Sequence, residues 1–102
     1  MTDKRLPPAA VTEHVRSGSR VGIGGGPLAV TPVGLIREVI RGGARDLRLV
    51  AASTGGFGLD LLIGAGVAAS VEFAQVVLNE LGPAPNFRRL AESGRLRCLD
   101  HT

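Results

Sequence analysis

Apolar positions along this chain switch between a strand period and a helix period, with glycine or proline at nearly every switch. Pro7 to Val15 reads as a short first helix, with Val11 and Val15 four apart on one face, ended by Ser17-Gly18-Ser19. Arg20 to Ile23 is a first strand. A loop from Gly24 to Val30 follows, then a helix over Thr31 to Gly42, with Thr31 as N-cap and Pro32 at its first position. Leu35, Ile36, Val39 and Ile40 give that helix an apolar stripe at spacings of three and four. Leu47 to Ala52 is a second strand, interrupted only by Arg48. Ser53 to Gly58 is a second glycine-rich loop, and Leu59 to Ile63 one or two helical turns. A third strand covers Ala69 to Ala74. A loop runs from Leu78 to Pro85, Asn86 caps a helix through Glu92, and Arg95 to Leu99 is a fourth strand.

Strand and helix alternate, which predicts an α/β sandwich with a mainly parallel sheet. Both glycine loops follow strands, so both belong at the carboxyl edge of the sheet, where such folds bind ligands. The last strand is followed only by Asp100-His101-Thr102 and no closing helix, which predicts part of a larger unit.

Composition narrows this picture. The 102 residues suit one small domain, and 44% hydrophobic content excludes a disordered chain. No apolar run reaches the roughly 20 residues needed to span a bilayer. The charged start, Met1 to Arg5, leads into Pro7-Pro8 without an apolar signal core, which points to a cytoplasmic protein. Cys98 is the sole cysteine and reads as a small buried hydrophobe; no Cys/His cluster has metal-ligand spacing, so no metal is expected. The net charge of +3 is spread along the chain without interleaved aromatics, which argues against nucleic acid and for an anionic small ligand or an acidic partner.

The glycines carry the candidate chemistry. Gly22 to Gly26 form one cluster, and Gly55, Gly56, Gly58, Gly64 and Gly66 punctuate the second loop and its helix. Glycines at a strand-to-helix turn let backbone N–H groups reach a phosphate or the oxygen of a reacting carbonyl. A dinucleotide fingerprint begins at Gly22-x-Gly24, but Pro27 stands at the third glycine position. No Gly-Lys-Ser/Thr is present for a P-loop. The remaining reading is that the glycines only make tight turns, although each one inside a helix or strand costs roughly 0.5–1 kcal/mol relative to alanine.

Four blocks in order resemble the N-terminal part of the α (A) subunit of family I CoA-transferases, closest to the glutaconate CoA-transferase type. The family has a small polar residue with Gly, a short strand, Gly-Gly-Phe, and a Pro six residues after that Phe. Here these read Ser17-Gly18, Arg20 to Ile23, Gly24-Gly25-Gly26 and Pro32. The other blocks are Arg45-Asp46-Leu47-x-Leu49-Val50, then Asp60-x-Leu62-Ile63-Gly64-x-Gly66, then Phe87-Arg88-Arg89 with Glu92-x-Gly94-x-Leu96. The resemblance covers about Val11 to Leu99. Gly26 replaces the usual Phe, and Pro27 after it lacks an N–H to offer.

The resemblance implies a three-layer α/β sandwich of the CoA-transferase type, incomplete in this chain. It implies a reaction in which a glutamate attacks an acyl-CoA thioester, forms an anhydride and then carries CoA as a glutamyl thioester. In two-chain members that glutamate belongs to the β subunit, and the α subunit supplies the glycine loop that stabilises negative charge on the thioester oxygen. The implied site residues are Gly24, Gly25 and Gly26, with Gly55, Gly56 and Arg88 as further coenzyme A contacts. Coenzyme A enters as substrate, with no permanently bound cofactor. The implied partners are a CoA-transferase β subunit, an acyl-CoA and a carboxylic acid. None of the acids here sits in a glycine-flanked turn suited to a nucleophilic glutamate; Glu72 and Glu80 read as solvated or ion-paired, Asp60 as a helix cap, Arg88 and Arg89 as a solvated face, and His14 as a surface residue. Two alternatives stay open. One is a ring-opening acyl-CoA hydrolase subunit of steroid breakdown, with Asp100 or His101 as general base. The other is an inactive fragment or a partner-binding module.

Overall fold

The computed structural model describes residues 3–51 and 54–100. Four strands build the main sheet: β1 (Arg20–Ile23), β2 (Leu47–Ala51), β4 (Ala68–Phe73) and β6 (Arg97–Asp100). They pair in the order β1-β2-β4-β6, and every pairing is parallel. Beyond the ends of β2 and β4, β3 (Thr54–Gly55) and β5 (Gln75–Val76) form a two-residue parallel ladder. Three helices connect the strands: α1 (Val33–Arg41), α2 (Phe57–Gly64) and α3 (Pro85–Glu92). Pro8–Glu13 and Asn79–Leu81 are 3₁₀ turns.

The parallel α/β architecture is the expected one. Strand order follows chain order without reversal, so crossovers of one hand carry all three helices to one face of the sheet. The burial pattern agrees. Leu47, Leu49 and Ala51 alternate inward along β2, and Val71 on β4 pairs with Leu49. They meet Ile36 and Val39 of α1 and Leu59, Leu62 and Ile63 of α2, all at most 7% exposed. Burying a leucine or isoleucine this fully contributes about 1.5–3 kcal/mol. The ring of Phe87 on α3 meets Phe73 on β4 edge to face, 5.0 Å between centroids. Of the three layers expected, the described residues thus supply the sheet and the helices on one side.

Several element ends differ from the sequence reading. The first segment is 3₁₀ rather than a full helix and stops at Glu13. Pro32 takes the N-cap position of α1, and Thr31 Oγ1 reaches back to the Ala29 carbonyl at 3.5 Å instead of capping. α2 begins two residues before and ends one residue after the expected span, and α3 starts at Pro85, with Asn86 inside its first turn. Cys98 is exposed on the edge strand β6 rather than buried, because burial in this sheet falls on the two central strands.

Candidate active site

β1 ends at Ile23 and runs into Gly24, Gly25 and Gly26, with Pro27 to Val30 leading back to α1. This first loop is closed by its own backbone. The Gly26 N–H donates to the Ala29 carbonyl at 2.9 Å. Gly25 has φ +97°, and a Cβ there would lie 2.2 Å from the Val30 carbonyl oxygen. Only glycine fits such a turn. Val30 itself has φ 55° and is 88% exposed, so a β-branched residue is held in the left-handed region with its side chain in solvent.

The second loop packs beneath the first. The Phe57 N–H, first of α2, donates to the Pro27 carbonyl at 2.8 Å. A Cβ at Gly56 would meet the Pro27 backbone at 2.2 Å, and one at Gly55 would meet the Leu59 side chain at 2.5 Å. A Cβ at Gly58 would strike Thr31 at 2.4 Å. The space left between the loops is about 10 Å³, room for one water. Gly55 and Gly56 are buried there. What they visibly do is let the two loops close on each other. The β3–β5 ladder fixes this arrangement, with Val77 N–H on the Gly55 carbonyl at 3.0 Å and Gln75 Nε2 on Thr54 Oγ1 at 3.2 Å.

Open space lies instead beside Gly24. A groove of about 250 Å³ is lined by Gly22, Ile23, Gly24, Val50 and Ala51. A Cβ at Gly22 or Gly24 would meet nothing within 4 Å. Arg48 N–H donates to the Ser19 carbonyl, so by strand alternation Val21 and Ile23 turn their backbone groups toward β2. Gly22 and Gly24 then turn theirs to the other side of β1, where no described strand pairs. Gly24 borders this free volume outside the loop's own hydrogen bonds, whereas Gly26 spends its N–H inside the loop.

The other predicted site residues lie elsewhere. Asp100 ends β6, separated from β1 by β2 and β4. With strands about 4.8 Å apart, that separation is about 14 Å. His101 falls outside the described residues. Arg88 is exposed on α3 and pairs with Glu92 at 3.0 Å, beside Pro83, Pro85 and Arg89 and away from both glycine loops. Glu72 accepts from Arg20 Nη2 at 3.0 and 3.1 Å, and Glu80 is exposed in the 3₁₀ turn. Although the residue as a whole is exposed, partial desolvation of the Cys98 sulfur chiefly, and the nearby Asp100 charge second, push its thiol above its ordinary pKa. Among the described residues no group of His, Cys, Asp and Glu side chains can hold a metal, and no helix is long and apolar enough to cross a membrane.

The sequence reading missed one buried carboxylate. Asp60 on α2 is 5% exposed and accepts from the Phe87 N–H at 2.7 Å, the Asn86 N–H at 3.3 Å and Asn86 Nδ2 at 3.1 Å. It caps α3, which has no side-chain cap of its own. Its isolation in an apolar stretch, Leu59 to Ile63, was the available signal.

The fold is shared with known proteins. The family described as coenzyme A transferase matches residues 6–99. No curated protein sequence matches the chain. A solved structure of a cysteine-to-serine variant of the decarboxylase AibA/AibB superposes with TM-score 0.84 at 26% identity, covering 95% of this chain and 38% of that one. Glutaconate coenzyme A-transferase from Acidaminococcus fermentans superposes with TM-score 0.82 at 26% identity, covering 93% of this chain and 30% of that one. The chain therefore spans about a third of the length of these solved relatives.

Proposed function

Because the chain belongs to the coenzyme A transferase family, we propose that it acts as an A-type subunit in transfer of coenzyme A between an acyl-CoA and a carboxylic acid. The observation that carries this reading is the groove beside Gly24, at the carboxyl end of an edge strand, with an outward backbone N–H on its rim. A thioester carbonyl seated there gains a donor for the oxygen that becomes negative when the carbon is attacked. The attacking carboxylate comes from a β subunit. It forms an acyl–glutamyl anhydride and releases the CoA thiolate, which then attacks the glutamyl carbonyl and frees the carboxylic acid. The second CoA exchange runs the same two steps in reverse with the acceptor acid.

Two features support a nucleophile from outside this chain. Glu72 is held by Arg20 on the sheet face, and Asp60 is buried under three hydrogen bonds. The glycine loop also sits on an edge strand, where another subunit can close over it. The two-part name of the decarboxylase AibA/AibB accords with a paired subunit. The hydrolase alternative needs Asp100 or His101 at the reacting carbonyl, and Asp100 ends the strand at the opposite edge.

The test is reconstitution. The chain co-expressed with a CoA-transferase β subunit is assayed for CoA exchange between acetyl-CoA or glutaryl-CoA and a panel of carboxylic acids. Exchange is expected only with both chains present, with the covalent CoA adduct located by mass spectrometry on a glutamate of the β subunit. Exchange by this chain alone, or an adduct on Glu72 or Glu80, would overturn the proposal.

A further inference from the structure

Two polar side chains that the proposed reaction leaves unused meet at the glycine loops. β3 follows β2 and β5 follows β4, and their ladder sets Thr54 opposite Gln75 at the carboxyl edge of the sheet. Thr54 is half-buried and Gln75 exposed. Gln75 Nε2 donates to Thr54 Oγ1 at 3.2 Å, and among the described residues nothing else bonds this hydroxyl. Thr54 also borders the crevice between the two loops, together with Gly24, Gly25 and Gly26.

A hydroxyl has one proton to give and two lone pairs to receive. The Gln75 amide fills one lone pair, so Thr54 keeps its proton for an acceptor elsewhere. Thr31 is the other hydroxyl-bearing residue on the crevice wall, and its Oγ1 reaches the Ala29 carbonyl at 3.5 Å. The rest of the wall is glycine, Ile23 and Leu59. Ile23 and Gly24 border both the crevice and the groove beside β1, so a molecule seated in the groove can send one oxygen past Gly24 toward Thr54.

We infer that Thr54 donates its hydroxyl proton to one oxygen of the substrate carboxylate, and that Gln75 is a positioning residue which aims that proton. The inference rests on the transferase reading above. The crevice, at about 10 Å³, admits a single oxygen, so the acid enters it by one atom. A carboxylate held by one oxygen presents the other at a fixed angle to the carbon it attacks. Thr54 and Gln75 thus serve the acid, while the Gly24 N–H serves the thioester oxygen.

The test is kinetic. The full chain, reconstituted with a CoA-transferase β subunit, gives separate KM values for acyl-CoA and acid. Thr54→Val keeps the branched shape and removes the hydroxyl. It is expected to raise the KM for the acid about ten- to a hundredfold, the range of one lost hydrogen bond to a charged group. The KM for acyl-CoA and the melting temperature should not change. Thr54→Ser should keep the parent values. Gln75→Glu sets an acceptor opposite the hydroxyl and draws its proton away from the crevice, so it should raise the KM for the acid as Thr54→Val does. Gln75→Leu leaves the hydroxyl free to turn and should raise it less. Gln75 is exposed, so its variants decide the matter if Thr54→Val lowers the melting temperature. An unchanged KM for the acid in Thr54→Val or in Gln75→Glu overturns the proposal, as does a Thr54→Ser variant as impaired as Thr54→Val. If the parent complex exchanges no CoA, the transferase reading falls by itself. Carboxylate binding is then read from broadening of the acetate methyl resonance by the full chain. Broadening is expected with the parent and Thr54→Ser and is lost with Thr54→Val; its absence with the parent, or its persistence with Thr54→Val, overturns the inference.

Discussion

The Asp60 carboxylate lies 2.7 Å from the backbone nitrogen of Phe87, joining the middle of α2 to the first turn of α3 across 27 positions of chain. Asn86 adds its own N–H and its side-chain amide to the same carboxylate. The contact places Pro85, and with it α3, against the sheet near Phe73.

Removing this carboxylate leaves two helix N–H groups without an acceptor at a buried position. Loss of an N-cap costs about 0.5–2 kcal/mol, and hydrogen bonds to a charged group run about 1.5–3 kcal/mol. Asp60→Ala is expected to lower stability by about 2–3 kcal/mol in urea denaturation. Asp60→Asn keeps one acceptor oxygen and should cost less. Equal stability of wild type and Asp60→Ala would refute the capping role.

How far sequence reached is decided residue by residue. β1 and β2 were legible because apolar runs bounded by glycine leave few alternatives, and the glycine loops fell at one sheet edge because each follows a strand. The β3–β5 ladder was not legible: two residues of strand carry no periodicity. The α3 cap was not legible either, because capping signals are local and Asp60 acts from 26 and 27 residues away. Within the site, Gly24, Gly25 and Gly26 read from sequence as the carbonyl-stabilising loop and Gly55 and Gly56 as coenzyme A contacts, with no means of telling glycines that face a ligand from glycines that close the loops. The distinction rests on Pro27, which lies against Gly56 and far from it in sequence.

Glu72 provides a check on where the nucleophile resides. Its pair with Arg20 is well over half exposed on the arginine side, so it is worth about 0–1 kcal/mol and weakens with salt. Glu72→Gln is expected to shift stability by less than about 1 kcal/mol. In the complex with a β subunit, kcat should stay within about threefold of the parent. Loss of exchange without loss of stability would make Glu72 a catalytic group.

Cys98 reports on the end of β6. The pKa of its thiol is raised by partial desolvation of the sulfur and secondarily by Asp100, and the thiolate is the reactive form. Alkylation by iodoacetamide at neutral pH should be slower than for a free cysteine, with the rate rising at a higher pH. Asp100→Asn removes the smaller cause, so it should speed alkylation in part and leave the residual shift from partial desolvation. No change with Asp100→Asn would remove Asp100 from the account of this thiol.

The three loop glycines separate geometry from chemistry. Gly56→Ala drives a Cβ into the Pro27 backbone, which has no rotamer to yield, and should cost about 3 kcal/mol or more. Gly25→Ala adds left-handed strain to a collision with the Val30 carbonyl and should cost about 1–3 kcal/mol. Gly24 meets neither obstacle: its Cβ points into open space, and its backbone is outside the left-handed region. Gly24→Val should therefore leave the melting temperature of the chain unchanged. In the reconstituted complex the same valine fills the groove where the thioester oxygen must approach the Gly24 N–H. Losing one such donor lowers turnover by about 10²–10³-fold, and a fall of that size is expected in kcat with folding intact. If Gly24→Val exchanges CoA at the parent rate while Gly25→Ala and Gly56→Ala lose both stability and activity, the loop serves the fold alone and the reacting carbonyl is held elsewhere.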